Sequence, residues 1–183
     1  VIATLPRKCL GSGLAYNNGV FYAASEGDFV PFEGVIYRID NSGNVVSVKD
    51  RGFADDGVAI DTQRDLVYVS EAESISHKVL VLNSTSGAYI DVIQPENVDM
   101  IDDFTVDIST GRVVAADFLG GKIVRFDGWT RSKKPKAEVL LSAITSPTSA
   151  RFGCVHDGSL VGLSDKLIFV SEGGGLLSST HNR

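Results

Sequence analysis

No stretch of the 183 residues is long and apolar enough to cross a membrane as a helix. Positive charge is scarce: 17 Lys and Arg stand against 23 Asp and Glu, a net charge of −6. That balance argues against a nucleic-acid backbone as partner, because phosphate contact needs clustered cations. The one basic cluster, "RSKKPK" at 131–136, sits between apolar runs and reads as a solvated hairpin tip. Cysteine is rare as well. Cys9 and Cys154 are compatible with one disulfide or with two buried thiols. The sequence shows no initiating Met and no signal peptide. Asn83 opens an "NST" glycosylation sequon. The sequon, the cysteine pair and the missing Met lead us to expect a secreted or secretory-pathway protein. Helical signals are absent too: no segment holds a 3.6-residue apolar period with a cap.

What is present is a soluble globular composition, 43 % hydrophobic and 22 % charged, in a length that suits one domain. That domain repeats itself. "SGLAYNNGVFYAASE" begins at Ser12, "DGVAIDTQRDLVYVSE" at Asp56, "DDFTVDISTGRVVAAD" at Asp102, and "TSARFG" at Thr148 is followed by "DKLIFVSE". The openings recur about every 45 residues. Each segment holds short runs rich in Val, Ile, Leu, Phe and Tyr, broken by "NNG", "DNSG", "NSTSG" and "DISTG". Asn, Asp and Gly tolerate the left-handed backbone of tight hairpins, so these are strands joined by turns. Four antiparallel strands repeated at this period predict an all-β fold, a β-propeller. The expected blades cover approximately 10–51, 52–97, 98–143 and 144–183. The last blade is short of an outer strand, and "VIATLP" at 1–6 is expected to supply it, closing the ring and removing an exposed strand edge. A Cys9–Cys154 bridge would then tie the first segment to the last blade.

"DDFTVDISTGRVVAADFLGGKIVRFDG" resembles a blade of the senescence-marker-protein/gluconolactonase family, which includes relatives of luciferin-regenerating enzyme. "SPTSARFG" followed by "LIFVSEGGG" is similar to that family's closing blade, and the resemblance runs from about Gly13 to Gly175. It implies a six-bladed propeller with one divalent metal, often calcium, on its axis, and hydrolysis of sugar lactones. This chain departs from the pattern by holding four repeats. It is either four-bladed or part of a six-bladed ring.

The leading residues Ser12, Asp56, Asp102 and Thr148 would converge at one mouth of the channel. Oxygen side chains gathered there suit Ca²⁺, which could polarise a lactone carbonyl or activate a bound water. By the resemblance, Asp102 falls on a metal-binding Asp of the family and Asp56 on an Asn ligand. A further Asn ligand would lie near Gly11 and Ser12, and an early Glu ligand has no counterpart. Asp56 and Asp102 are therefore the expected metal ligands, Asp102 and Asp103 the catalytic acids, and Ser12, Thr148 and Ser149 the substrate pocket. Against this, an Asp at a blade opening can simply bind backbone N–H groups and hold a turn.

A second acid column, Glu26, Glu71, Asp117 and Glu172, closes the second run of each repeat and is expected to splay into water. His77 and His156 have no sequence-local partner for a nucleophile–base pair, and His181 lies near a terminus. "GGG" at 173–175 lacks the setting of a phosphate cradle and reads as a turn, and Trp129 reads as a cap on the blade surface. The leading functional expectation is a divalent-metal-dependent hydrolase acting on a small lactone or ester. The alternative is a non-catalytic propeller that binds a protein or glycan through its faces.

Overall fold

A computed structural model describes residues 3–5, 11–25, 34–50, 55–71, 77–129, 133–152 and 168–173. The first sheet is β1 (Gly11–Asn17), β2 (Val20–Ser25), β3 (Val35–Asp40) and β4 (Val45–Asp50). The second is β5 (Asp55–Asp61), β6 (Leu66–Glu71), β7 (Val79–Asn83) and β8 (Tyr89–Ile93). The third is β9 (Ile101–Asp107), β10 (Arg112–Asp117), β11 (Lys122–Asp127) and β12 (Glu138–Ser142). In each, the strands pair antiparallel in sequence order, and β13 (Pro147–Phe152) with β14 (Ile168–Glu172) starts a fourth sheet. No helix occurs among the described residues.

The hairpins follow from the turn residues. Asn18 and Gly19 both take positive φ, 46° and 86°, which a two-residue turn between right-twisted strands demands. In the next two repeats a longer turn is held by the Asp that ends the inner strand. Asp61 Oδ1 accepts the N–H groups of Gln63 and Arg64, and Asp107 accepts from the Ser109 hydroxyl at 2.6 Å and the Thr110 hydroxyl at 2.6 Å. These Asx-type contacts spend the carboxylates on the chain's own donors.

Alternating residues give each blade two apolar faces. Tyr22, Ala24 and Ile36 of the first blade meet Val58, Val67 and Val69 of the second. The opposite face of the second, with Tyr68, Val79 and Val81, meets Phe104, Val113 and Ala115 of the third. Val114, Ala116 and Ile123 then pack against Ala150, Phe152 and Val170 of the fourth. The core is thus a series of junctions between successive sheets, as a propeller requires.

Two details differ from the sequence reading. The basic segment is solvated as expected, with Lys133, Lys134 and Lys136 exposed, but its backbone is paired to the second blade. Gln94 N–H donates to the Lys133 carbonyl at 2.8 Å and Glu96 N–H to the Pro135 carbonyl at 3.0 Å. Lys133 Nζ also lies 3.1 Å from Asp91 Oδ1. Charge composition reports solvation but not which neighbouring backbone needs partners, and here the exit of β8 supplies it. In the N-terminal run, residues 3–5 form no strand, and Ala3 and Leu5 pack instead on the first blade against the cluster of Ala23, Val35, Tyr37 and Ile39. Cys9, Cys154, His156 and His181 lie outside the described residues.

Candidate functional site

Neighbouring sheets meet through β1, β5, β9 and β13, which lie side by side in that order. Their registers match: Gly11 pairs Ser25, Asp55 pairs Glu71, Ile101 pairs Asp117 and Pro147 pairs Glu172. Ser12, Asp56, Asp102 and Thr148 therefore occupy one structural position on four adjacent strands. The next position holds Gly13, Gly57, Asp103 and Ser149.

The glycines explain the acid–Gly opening. A Cβ at Gly57 would lie 2.8 Å from Asp103 Cα and 2.9 Å from the Asp102 carbonyl oxygen, so only glycine lets the strands approach this closely. Gly13 stands likewise against the Asp56 carbonyl and, at 2.7 Å, the Val58 nitrogen. Ser70 stitches the same junction: its hydroxyl accepts the Gly57 N–H at 2.8 Å and donates to the Asp102 carbonyl at 2.8 Å.

Between the third and fourth blades a polar cluster replaces this arrangement. Arg151 places a guanidinium nitrogen 2.8 Å from Asp103 Oδ1 and 2.6 Å from Oδ2, and it also donates to the Phe104 carbonyl. The Ser149 hydroxyl donates to Asp103 Oδ2 at 2.7 Å. Both oxygens of the expected catalytic Asp103 are thus engaged by the adjacent strand. Of the expected pocket residues, Thr148 shares a hydroxyl contact with Ser171 at 2.8 Å, and the Ser12 side chain lies outside the described set. Asp56 is buried and Asp102 half-buried, and both take part in interactions within the protein.

The family resemblance implies calcium at these openings. Ca²⁺ takes about six to eight oxygens, several of them from carboxylates. Among the described residues no three His, Cys, Asp or Glu side chains gather as a metal would require. Among the described residues, with Asp103 paired to Arg151, the donors at the mouth fall short of a calcium shell.

The second acid column is also redrawn. The shorter first hairpin moves its register, so Ser25, not Glu26, is equivalent to Glu71, Asp117 and Glu172. Glu26 lies outside the described residues. Glu172 is exposed as expected, but Glu71 and Asp117 are buried, at 4 % and 0 % exposure. Asp117 sits inside among backbone donors and a lysine. Oδ1 accepts the N–H groups of Asp99, Met100 and Gly120 at 3.2, 3.0 and 3.1 Å, and Oδ2 faces Lys122 Nζ at 3.3 Å.

Elsewhere, Asn83 turns its side-chain oxygen onto the N–H groups of Thr85 and Ser86, shaping the hairpin that carries the sequon. His77 contacts the Gln94 amide at 3.1 Å. Trp129 donates its indole N–H to Asp91 at 3.3 Å and its backbone N–H to Tyr68 Oη at 2.9 Å. A cavity of about 90 Å³ lies on the third blade, lined partly by the Arg112–Asp127 and Arg125–Glu138 ion pairs. Arg151 is the residue that sequence reasoning missed. Its signal was available, two residues after Ser149 and hence on the same strand face.

The geometry has counterparts among solved structures. The chain superposes on a gluconolactonase from Xanthomonas campestris with a TM-score of 0.64 at 15 % identity, covering 83 % of this chain and 54 % of that one. The fold is that of a β-propeller. Luciferin-regenerating enzyme gives a TM-score of 0.60 at 16 % identity over 79 % of this propeller and 49 % of the enzyme. A chain of the nidogen/laminin complex gives 0.61 at 15 % identity over 79 % and 53 %. This propeller therefore spans about half the length of these three structures. No protein-family model matches the sequence, and no curated protein does.

Proposed function

We propose that this propeller is a non-catalytic binding module that recognises a protein or glycan partner through its faces. One observation carries the reading: Asp103, at the mouth where an acid would have to act, has both carboxylate oxygens committed to Arg151 and Ser149. Those lone pairs already serve the contact between blades three and four. The fold likeness supports either use, since the similar structures include a gluconolactonase and a chain of a nidogen/laminin complex.

A second reading is a metal-dependent hydrolase of a small lactone or ester, favoured by Asp56 and Asp102 at one position on neighbouring strands. In it those carboxylates would hold the divalent ion, calcium by the resemblance, and the ion would supply Lewis acidity toward a carbonyl. Turnover of a panel of sugar lactones and aryl esters, with calcium present, separates the two. The binding reading expects wild type and Asp102→Ala to match the uncatalysed rate. Saturable turnover by wild type, lost in Asp102→Ala, would replace it with the second.

A further inference from the structure

Every internal junction uses the same strand positions. The face toward the preceding blade presents Val58, Phe104 and Ala150 from the inner strands of blades two, three and four, all at 1 % exposure or less. Their partners are Val69, Ala115 and Val170. The face toward the following blade presents Tyr22, Tyr68 and Val114, again at 1 % or less. These are the partners of Ala15, Ala59 and Thr105.

The same register identifies the matching residues at the two ends of the series. In blade one Leu14 pairs Ala23, which puts Leu14 where Val58, Phe104 and Ala150 stand, yet Leu14 is 64 % exposed. Tyr16, two residues on and on the same face, is 57 % exposed and stacks on Phe21 with centroids 4.6 Å apart. Ala3 and Leu5 pack against the cluster of Ala23, Val35, Tyr37 and Ile39 on this face, and Leu14 and Tyr16 stay exposed beside it. In blade four Phe169 pairs Arg151 and so stands where Tyr68 and Val114 stand, yet it is 46 % exposed. Among the described residues, β13 and β14 share no packing with β1 and β2 comparable to the internal junctions.

Among the described residues the chain therefore carries both halves of one more blade junction, unmade to each other. We propose that the Leu14–Tyr16 face receives blade four of a second copy of this chain, entering through Phe169. The contact is head to tail, and two copies satisfy each other's open ends in a closed ring. A second copy is favoured as occupant because it must present the face that fits. Blade four already has the alternation that buries Tyr68 and Val114 at the internal junctions.

Light scattering on the 183-residue chain tests this. The expected mass is twice 19.5 kDa. Leu14→Asp and Phe169→Asp are each expected to give 19.5 kDa particles with wild-type far-ultraviolet dichroism. An equimolar mixture of the two rebuilds one of the ring's two junctions and leaves both substitutions facing each other at the other, so a doubled mass is expected only at higher protein concentration than wild type needs. Tyr16→Lys serves as the second variant if Leu14→Asp does not fold. A monomeric wild type, or a dimer that Leu14→Asp, Tyr16→Lys or Phe169→Asp leaves intact, would overturn the proposal. A monomeric wild type would point to further blades on a longer polypeptide, or to closure within one chain.

Discussion

Asp117 shows what a fully buried carboxylate does in this protein: it holds three backbone N–H groups and one Lys. Asp117→Ala would strip those donors and leave the Lys122 charge without its buried partner. A loss of about 1–3 kcal/mol is expected, the scale for leaving buried donors unpaired, since Lys122 keeps Asp99 at 3.6 Å. Urea unfolding with an unchanged slope and a lower midpoint would bear this out. Tyr68 is the other residue with a defined load, accepting the Trp129 N–H at 2.9 Å. Burial pushes its phenol pKa up, with the nearby Asp61 adding to the effect. A raised folded pKa means that its contribution is fully present below about pH 10, the unfolded value, and is lost as pH rises through the folded one. Tyr68→Phe is expected to cost about 1–3 kcal/mol at neutral pH, by leaving the N–H unpaired. It should also flatten the alkaline fall in stability measured between pH 9 and 12. On the acid side Asp107 is held below the usual carboxylate range, chiefly by the Ser109 hydroxyl and next by that of Thr110. Its depressed pKa contributes stability above about pH 4, lost as pH falls through the folded value.

At the scale of strands, the acid–Gly opening is a packing device. Gly57→Ala would press a methyl group onto Asp103 Cα and the Asp102 carbonyl, both backbone atoms that cannot swing aside. The expected cost is about 1–3 kcal/mol or more, typical of overpacking, read as a lowered melting temperature. Most of the strand plan was legible in the sequence because period-two alternation and Asn/Gly turns act locally. The inner-strand column was legible as well: Ser12, Asp56, Asp102 and Thr148 do share a register. The acid column was not, because matching Glu26 by letter ignored the shorter Asn18–Gly19 hairpin, which shifts Ser25 into its place. Nor could the sequence say that Asp103 would be neutralised. Its partner Arg151 is 48 positions away and meets it only once two blades are side by side.

For the whole molecule, the blades follow one another as the repeats do, and fold likeness reaches about half of each of the three solved structures reported. The fold leaves chemistry open. It is decided at the mouth, where the blade openings either gather a cation or serve the contacts between blades. The central claim is that they serve those contacts. The most direct measurement is a calorimetric calcium titration of the metal-stripped chain beside Asp102→Ala. No saturable heat from either protein is expected up to about 1 mM, the weak end of calcium sites. A saturable heat in wild type that Asp102→Ala abolishes would contradict the account and place an oxygen-lined cation site at the blade openings.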